Sequence, residues 1–334
     1  MFSIITLLGD TETDKYYTRE IFRRNQNFNR LFRLFDIREY RSNDNVAEIT
    51  ILDRFAMYFL LFYEGLTYEN LIERLAGTKN LVFMTSDLHY WSIFPHLVEP
   101  EFFGLENLNP SINSYDQLFD MFDRLNVRHL IANYDCPELK QIQSLRPSLA
   151  TYVLSLHFDP NIFKDYELQK SYDLIIYGTT LPKAYPFRHR VCHLIKNSSQ
   201  FNVLQVEMNQ LWDPDNCGEG LSRKINQSRL GLATLSNFDY LVGKYFEIPA
   251  SRTVVLGNIN EQGRAIFGDY YIHIDDRMTD DQIINVIADA LEDRDRLQEY
   301  ADQMYRAMHT DYTLSAYERK LAGIAQKIQK NCRI

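Results

Sequence analysis

The residues of this chain most able to do chemistry gather in NFDYLVGKYFEIPASRTVVLGN, from Asn237 to Asn258. This segment reads as a helix ending at Phe246, a carboxylate at Glu247, Pro249 as a stop, and a β-branched run from Thr253. A carboxylate at such a turn, near the carboxyl ends of parallel strands, stands where open α/β sheets bind ligands, and it can accept two hydrogen bonds from a ribose diol. A surface or capping role is the plainer reading of the same residue. Upstream, Gly178 and Thr179 follow an apolar run and could bring backbone amides close to a phosphate. In the first half, Asp87 and His89 of SDLHYW come directly after LVFMT, at the carboxyl end of an expected strand.

Two further constellations carry less. His189 and His193 are four apart with Cys192 beside them, a spacing able to chelate a metal, but no fourth ligand or general-base glutamate sits in register. Asp213 and Asp215 in WDPDN form a D-x-D that a Pro-containing turn explains better than a metal. No G-x-S-x-G, P-loop or G-x-G-x-x-G occurs, which argues against hydrolase, kinase and dehydrogenase readings.

The elements that must position these residues are strands alternating with helices. Apolar runs predict strands at Phe2 to Leu8, Glu48 to Leu52, Leu81 to Thr85, Val127 to Ala132 and Thr151 to Leu156. After a polar stretch the pattern restarts, with strands at Tyr172 to Tyr177, Asn202 to Glu207, Arg229 to Leu235, Thr253 to Leu256 and Tyr270 to Ile274. Helical periodicity predicts Tyr68 to Leu75, Tyr115 to Leu125, Phe187 to Lys196, Tyr240 to Phe246, Asp281 to Leu291 and Arg294 to Met308. Alternation of this kind implies parallel sheets covered by helices. Two α/β domains are expected, residues 1–165 and 166–314. Residues 315–334 follow as a helix whose stripe of Tyr317, Leu321, Ile324 and Ile328 must dock, within its own domain or back on the first.

Composition bounds the function. With 334 residues, 45% of them hydrophobic, the chain can bury more core than one compact domain needs. Its formal net charge of -9 makes nucleic acid an unlikely main partner, because phosphate backbones call for a dense basic surface. The local run of Arg19, Arg23, Arg24, Arg30, Arg33, Arg38 and Arg41 reads as a solvated helix face. MFSIITLLGD has no basic leader, and the longest apolar run, Phe55 to Tyr63, is about half a membrane span. The four scattered cysteines form no C-x-x-C pair, so a soluble cytoplasmic protein with reduced thiols is expected.

KYFEIPAS followed by TVVL resembles the F-E-x-x-A-(C/S)-G signature of the group 1 glycosyltransferases, in particular the CgeB-like branch and related proteins of large DNA viruses. YDLIIYG with YPFRHRVCHLIKN behind it is similar to the opening of the second domain in that branch, and DRDRLQEYADQMYRAMHTDYTLSAYERKL to its closing helices. The resemblance covers about Leu149 to Lys320. It implies a GT-B architecture, two Rossmann-like domains facing across a cleft, with a nucleoside diphosphate sugar held mainly by the second. SLHFDPNIF is similar to the phrase that precedes the interdomain linker and reads as structural.

On that resemblance Glu247 binds the donor ribose, and Asp239, eight residues earlier, matches the first acid of the E-x7-E pattern of retaining members with a shorter side chain. A helix N-cap is the alternative reading of Asp239. Arg252 stands where the signature has glycine. GT-B enzymes stabilise the leaving diphosphate with fixed cations and amides rather than an essential metal. Lys183, Arg188, Arg190 and Lys244 are the candidates here, with Arg188 at the Y-P-x-R position. His89, with Asp87, would touch the sugar or the acceptor. The expected activity is transfer of a hexose from a UDP- or GDP-linked donor to a hydroxyl of a glycan, a protein-linked glycan or a small molecule, with retention. A non-catalytic nucleotide- or glycan-binding relative and a DNA-modifying glucosyltransferase are the alternatives.

Overall fold

A computed structural model describes residues 2–5, 49–53, 68–78, 80–85, 88, 114–207 and 213–332 of the chain. Asp87, His89 and the arginine run from Arg19 to Arg41 lie outside the described residues. Two compact units form, one of Met1–Ser155 together with Glu318–Ile334 and the other of Leu156–Tyr317.

The first unit holds a five-stranded parallel sheet of β1 (Phe2–Ile5), β2 (Ile49–Asp53), β3 (Leu81–Thr85), β4 (His129–Ala132) and β5 (Ala150–Val153), in that spatial order. Leu81, Val82, Phe83 and Met84 are all buried, as a strand covered on both faces requires. Around it run α1 (Tyr68–Leu75), α2 (Tyr115–Arg124) and α3 (Pro137–Leu145). Ser114 caps α2 by accepting from the Gln117 amide, and Phe122 of α2 meets Phe83 with ring centroids 5.4 Å apart. Sequence periodicity passed over α3, whose nine residues bury only Leu139 and Ile142.

The second unit repeats the plan. Its strands are β6 (Tyr172–Tyr177), β7 (Val203–Val206), β8 (Ser228–Leu232), β9 (Val254–Gly257) and β10 (Ile272–His273), ordered β10-β9-β8-β6-β7 and all parallel. The chain starts at β6, moves to β7 on one side, then crosses back to β8 on the other. The order therefore reverses between β6 and β8, and such a switch point opens a crevice at the strands' carboxyl ends. The helices are α4 (Pro186–Asn197), α5 (Gly218–Asn226), α6 (Lys244–Ala250), α7 (Glu261–Phe267), α8 (Asp280–Glu292) and α9 (Arg294–Asp311).

Pleating divides β6 between two cores. Leu174 and Ile176 pack with Phe187, Val191, Ile283 and Ile287 of α4 and α8. Ile175 and Tyr177 pack with Ile225, Tyr245, Phe246 and Ile248 of α5 and α6. The closing helix α10 (Leu314–Cys332) buries its expected stripe, Tyr317, Leu321, Ile324 and Ile328, and from Glu318 onward it belongs to the first unit. Among the described residues no helix is long and apolar enough to cross a membrane.

Candidate functional site

Because Tyr177 is the last residue of β6 and faces α6, its side chain and carbonyl both meet the first turn of that helix. The hydroxyl donates to Oε2 of Glu247 at 3.0 Å. The carbonyl accepts from Nζ of Lys244, and the same ammonium lies 4.7 Å from the Tyr177 ring centroid. Burial, followed by the charge of Glu247, pushes the Tyr177 phenol well above its ordinary range, so the hydroxyl remains a proton donor. Burial and then repulsion from Arg188 hold Lys244 well below the usual lysine range, with Cys192 and Glu247 offsetting part of that.

Two glycines make this approach feasible. Gly178 has φ 75, and a Cβ there would stand 2.8 Å from Nζ of Lys244. In β8, a Cβ on Gly231 would stand 2.8 Å from the Ile248 side chain, so the missing methyl lets α6 settle directly on the sheet.

Arg188 enters from α4 and is 1% exposed. Its Nε donates to Oγ1 of Thr234 at 3.2 Å, Nη2 to the Thr234 carbonyl at 2.8 Å, and Nη1 to the Thr179 carbonyl at 3.0 Å. The guanidinium also lies 3.9 Å from the Tyr185 ring centroid. It thus binds the loop after β6 to the end of β8. Asn237 joins the same two loops, donating its amide N–H to the Ala184 carbonyl at 2.9 Å and its side-chain amide to the Lys183 carbonyl. Lys183 itself is exposed on that loop.

Glu247 does not follow a helix, as the sequence reading had it. The helix expected over Tyr240 to Phe246 starts at Lys244, so Glu247 lies in its first turn, half-buried, and Pro249 is inside it. Pro249 offers no amide to the helix, which ends one residue later. Asp239 is accordingly no N-cap, since Gly243 precedes the helix. It adopts left-handed backbone (φ 60), and its carbonyl accepts the Asn260 side-chain amide at 2.8 Å. Asn260 in turn caps α7 through the Gly263 amide at 2.9 Å.

The structure therefore gathers these residues at the end of β6, where Tyr177 links Lys244 to Glu247 and precedes Gly178, and Arg188 holds Thr179, while Asp239 sits on the adjoining loop. Arg190 is committed elsewhere, to Asp280 at 2.7 Å and to the Asp276 and Met278 carbonyls at the start of α8. His189 meets the Thr180 carbonyl at 3.1 Å, and Asp213 caps the 3-10 turn Pro214–Asn216. Among the described residues no group of three or more His, Cys, Asp or Glu could hold a metal ion. Sequence reasoning missed Tyr177, Thr234 and Asn237. The two-residue pleat from Ile175 would have sent Tyr177 to the α6 face, but nothing local marks the other two.

No protein-family model matches the sequence, and no curated protein matches it. Solved structures do. The GtfA/B complex superposes with a TM-score of 0.51 at 13% identity, over 84% of this chain and 57% of the other. TarM gives 0.53 at 10% identity, over 82% and 54%. An α,α-trehalose-phosphate synthase (UDP-forming) from Burkholderia vietnamiensis gives 0.52 at 11% identity, over 97% and 79%. The chain thus spans little more than half of the GtfA/B and TarM chains it matches. At these identities the likeness establishes a fold, the GT-B arrangement of two Rossmann-like units in one chain.

Proposed function

We propose that this chain is a glycosyltransferase that moves a sugar from a nucleoside diphosphate donor, UDP- or GDP-linked, to a hydroxyl acceptor such as a glycan. The observation that carries the reading is Glu247, a half-buried carboxylate held by Tyr177 over the carboxyl end of β6, beside the reversal of strand order. A ribose diol is the ligand such a carboxylate suits at that place in a parallel sheet. The neighbouring folds support the choice of donor, since the trehalose-phosphate synthase is UDP-forming by name and TarM has been solved with UDP and α-GlcNAc-glycerol.

In this reading the second unit holds the donor. Exposed Lys183, together with the turn at Gly178 and Thr179, meets the diphosphate, and Lys244 supports the turn from beneath by donating to the Tyr177 carbonyl. As the glycosidic bond breaks, these groups stabilise charge on the leaving diphosphate without an essential metal. Arg188 acts by fixing the loop that carries them. Asp239 serves the reaction centre of a retaining transfer.

Calorimetric titration with UDP- and GDP-sugars tests the assignment. Glu247→Ala should abolish or greatly weaken binding while the protein stays folded. Unchanged affinity in that variant overturns it.

A further inference from the structure

We infer that Tyr177 is a positioning residue that orients Glu247 for the ribose of the donor, and so sets the preference of the site for ribonucleotides over 2′-deoxyribonucleotides. The inference rests on the donor-site reading above and adds to it the residue through which Glu247 acts.

A glutamate has three side-chain torsions and, left without a partner in the first turn of a short helix, samples several rotamers. Here one carboxylate oxygen is fixed from below. The Tyr177 ring is buried in the core between the sheet and α6, so its hydroxyl oxygen is held in place, and Oε2 of Glu247 lies within reach at 3.0 Å. Oε1 is turned toward Gly243, where an added Cβ would stand 3.3 Å from it. Glycine at 243, just before the helix, therefore brings no side chain against that oxygen. Burial and then the adjacent carboxylate hold the phenol well above its ordinary range, so it serves as a donor. Tyr177 also touches Lys244, but with its carbonyl and its ring face. Removing the hydroxyl therefore separates the Glu247 contact from the Lys244 contact.

The test measures binding of UDP, 2′-deoxyuridine diphosphate, GDP, 2′-deoxyguanosine diphosphate and inorganic pyrophosphate to the intact chain. The unaltered protein should prefer ribose. Tyr177→Phe should cut that preference about tenfold, the size of one hydrogen bond to a charged group, and leave pyrophosphate binding unchanged. Adding Tyr177→Phe to Glu247→Gln should cause no further loss, because the tyrosine acts through the glutamate. Glu247→Asp, which keeps the charge but withdraws the carboxylate from the phenol, should reproduce the loss should Tyr177→Phe not fold. Tyr245→Phe, which removes a buried hydroxyl bonded instead to the Asn258 carbonyl, should leave the preference intact.

A ribose preference that survives both Tyr177→Phe and Glu247→Asp overturns the inference while leaving a nucleotide site in place. A loss spread equally over pyrophosphate and both sugars overturns it too, as it would mark a general structural defect. Failure of the unaltered protein to bind any nucleotide diphosphate overturns the donor-site reading and this inference together.

Discussion

Arg252 stands in left-handed backbone, φ 54, directly behind α6, and its Nε donates to Asp302 of α9 at 2.7 Å. The chain leaves the helix through a Schellman closure. The Arg252 amide donates to the Pro249 carbonyl at 3.0 Å, and the Thr253 amide to the Ile248 carbonyl at 3.3 Å. Glycine is the usual residue at such a position, and the signature that this segment resembles has glycine there. The arginine keeps the tight turn, and its second contact, to Asp165 at 2.6 Å, joins the entry of the second unit to the end of α6.

Replacing Arg252 should separate backbone strain from side-chain contacts. Arg252→Ala keeps the left-handed backbone and loses both partly exposed ion pairs, which should cost about 1–2 kcal/mol. Arg252→Gly loses the same pairs but relieves the strain, so it should be more stable than the alanine variant by about 1 kcal/mol. Denaturant unfolding of the two proteins checks the order, and equal midpoints would contradict it.

That turn illustrates what the sequence made visible and what it concealed. The strands of both sheets were legible because LVFMT, YDLIIY and TVVLG are runs buried on both faces, and their edges moved by only a few residues. The reversal between β6 and β8 was not, because strand order depends on pairing and leaves no local pattern. Within the site, residue type marks Glu247 and Lys244, but the sequence puts their helix several residues too early because Pro249 reads as a stop. Arg188 was marked as a cation at a loop, yet its three protein acceptors come from Thr179 and from Thr234, which lies 46 residues away.

Gly178→Ala should damage both fold and site. The residue would hold a methyl at φ 75 within 2.8 Å of Nζ of Lys244. A loss of about 1–2 kcal/mol is expected from the backbone alone. Displacement of the lysine should also weaken nucleotide-sugar binding, which titration at a temperature where the variant is folded will show. Unaltered affinity would mean that Lys244 takes no part in it.

Arg188 and Lys183 should respond in opposite ways. Arg188→Met leaves the buried oxygens of Thr234 and the part-buried Thr179 carbonyl without their donor, so a loss of about 3 kcal/mol is expected. Exposed Lys183→Ala should stay within about 0.5 kcal/mol of the parent and yet bind donor more weakly. Comparing melting curves with titrations distinguishes the two roles.

Asp239→Asn preserves the backbone carbonyl that receives Asn260, keeps one side-chain oxygen for the longer bond that Asn260 gives Oδ2 at 3.4 Å, and removes the charge. A role at the reaction centre predicts donor affinity close to the parent and turnover lower by about a hundredfold or more. Full turnover in this variant would remove Asp239 from the chemistry.

Lys170 gives the fold a pH dependence. Burial brings its ammonium down from 10.5 to about 7, against the attraction of Asp165 and with the repulsion of Arg252 and Arg229. The unfolded chain therefore binds more protons than the folded one between those values, and stability should rise as pH increases through that window. The destabilising contribution is complete below the folded value. Lys170→Met also loses the bonds to the Arg252 carbonyl and Thr253 Oγ1, but it should flatten the slope, which melting temperatures across the window will reveal.

Asn237 has a mechanical consequence. Because its backbone and side-chain N–H groups both end on carbonyls of the segment Lys183–Ala184, the loop that follows β6 and the loop that follows β8 are riveted into one plate. A ligand that draws Lys183 inward would therefore pull on Asn237, two residues before Asp239. In the proposed donor site, strain at the phosphate end would be passed along this tie toward the acid.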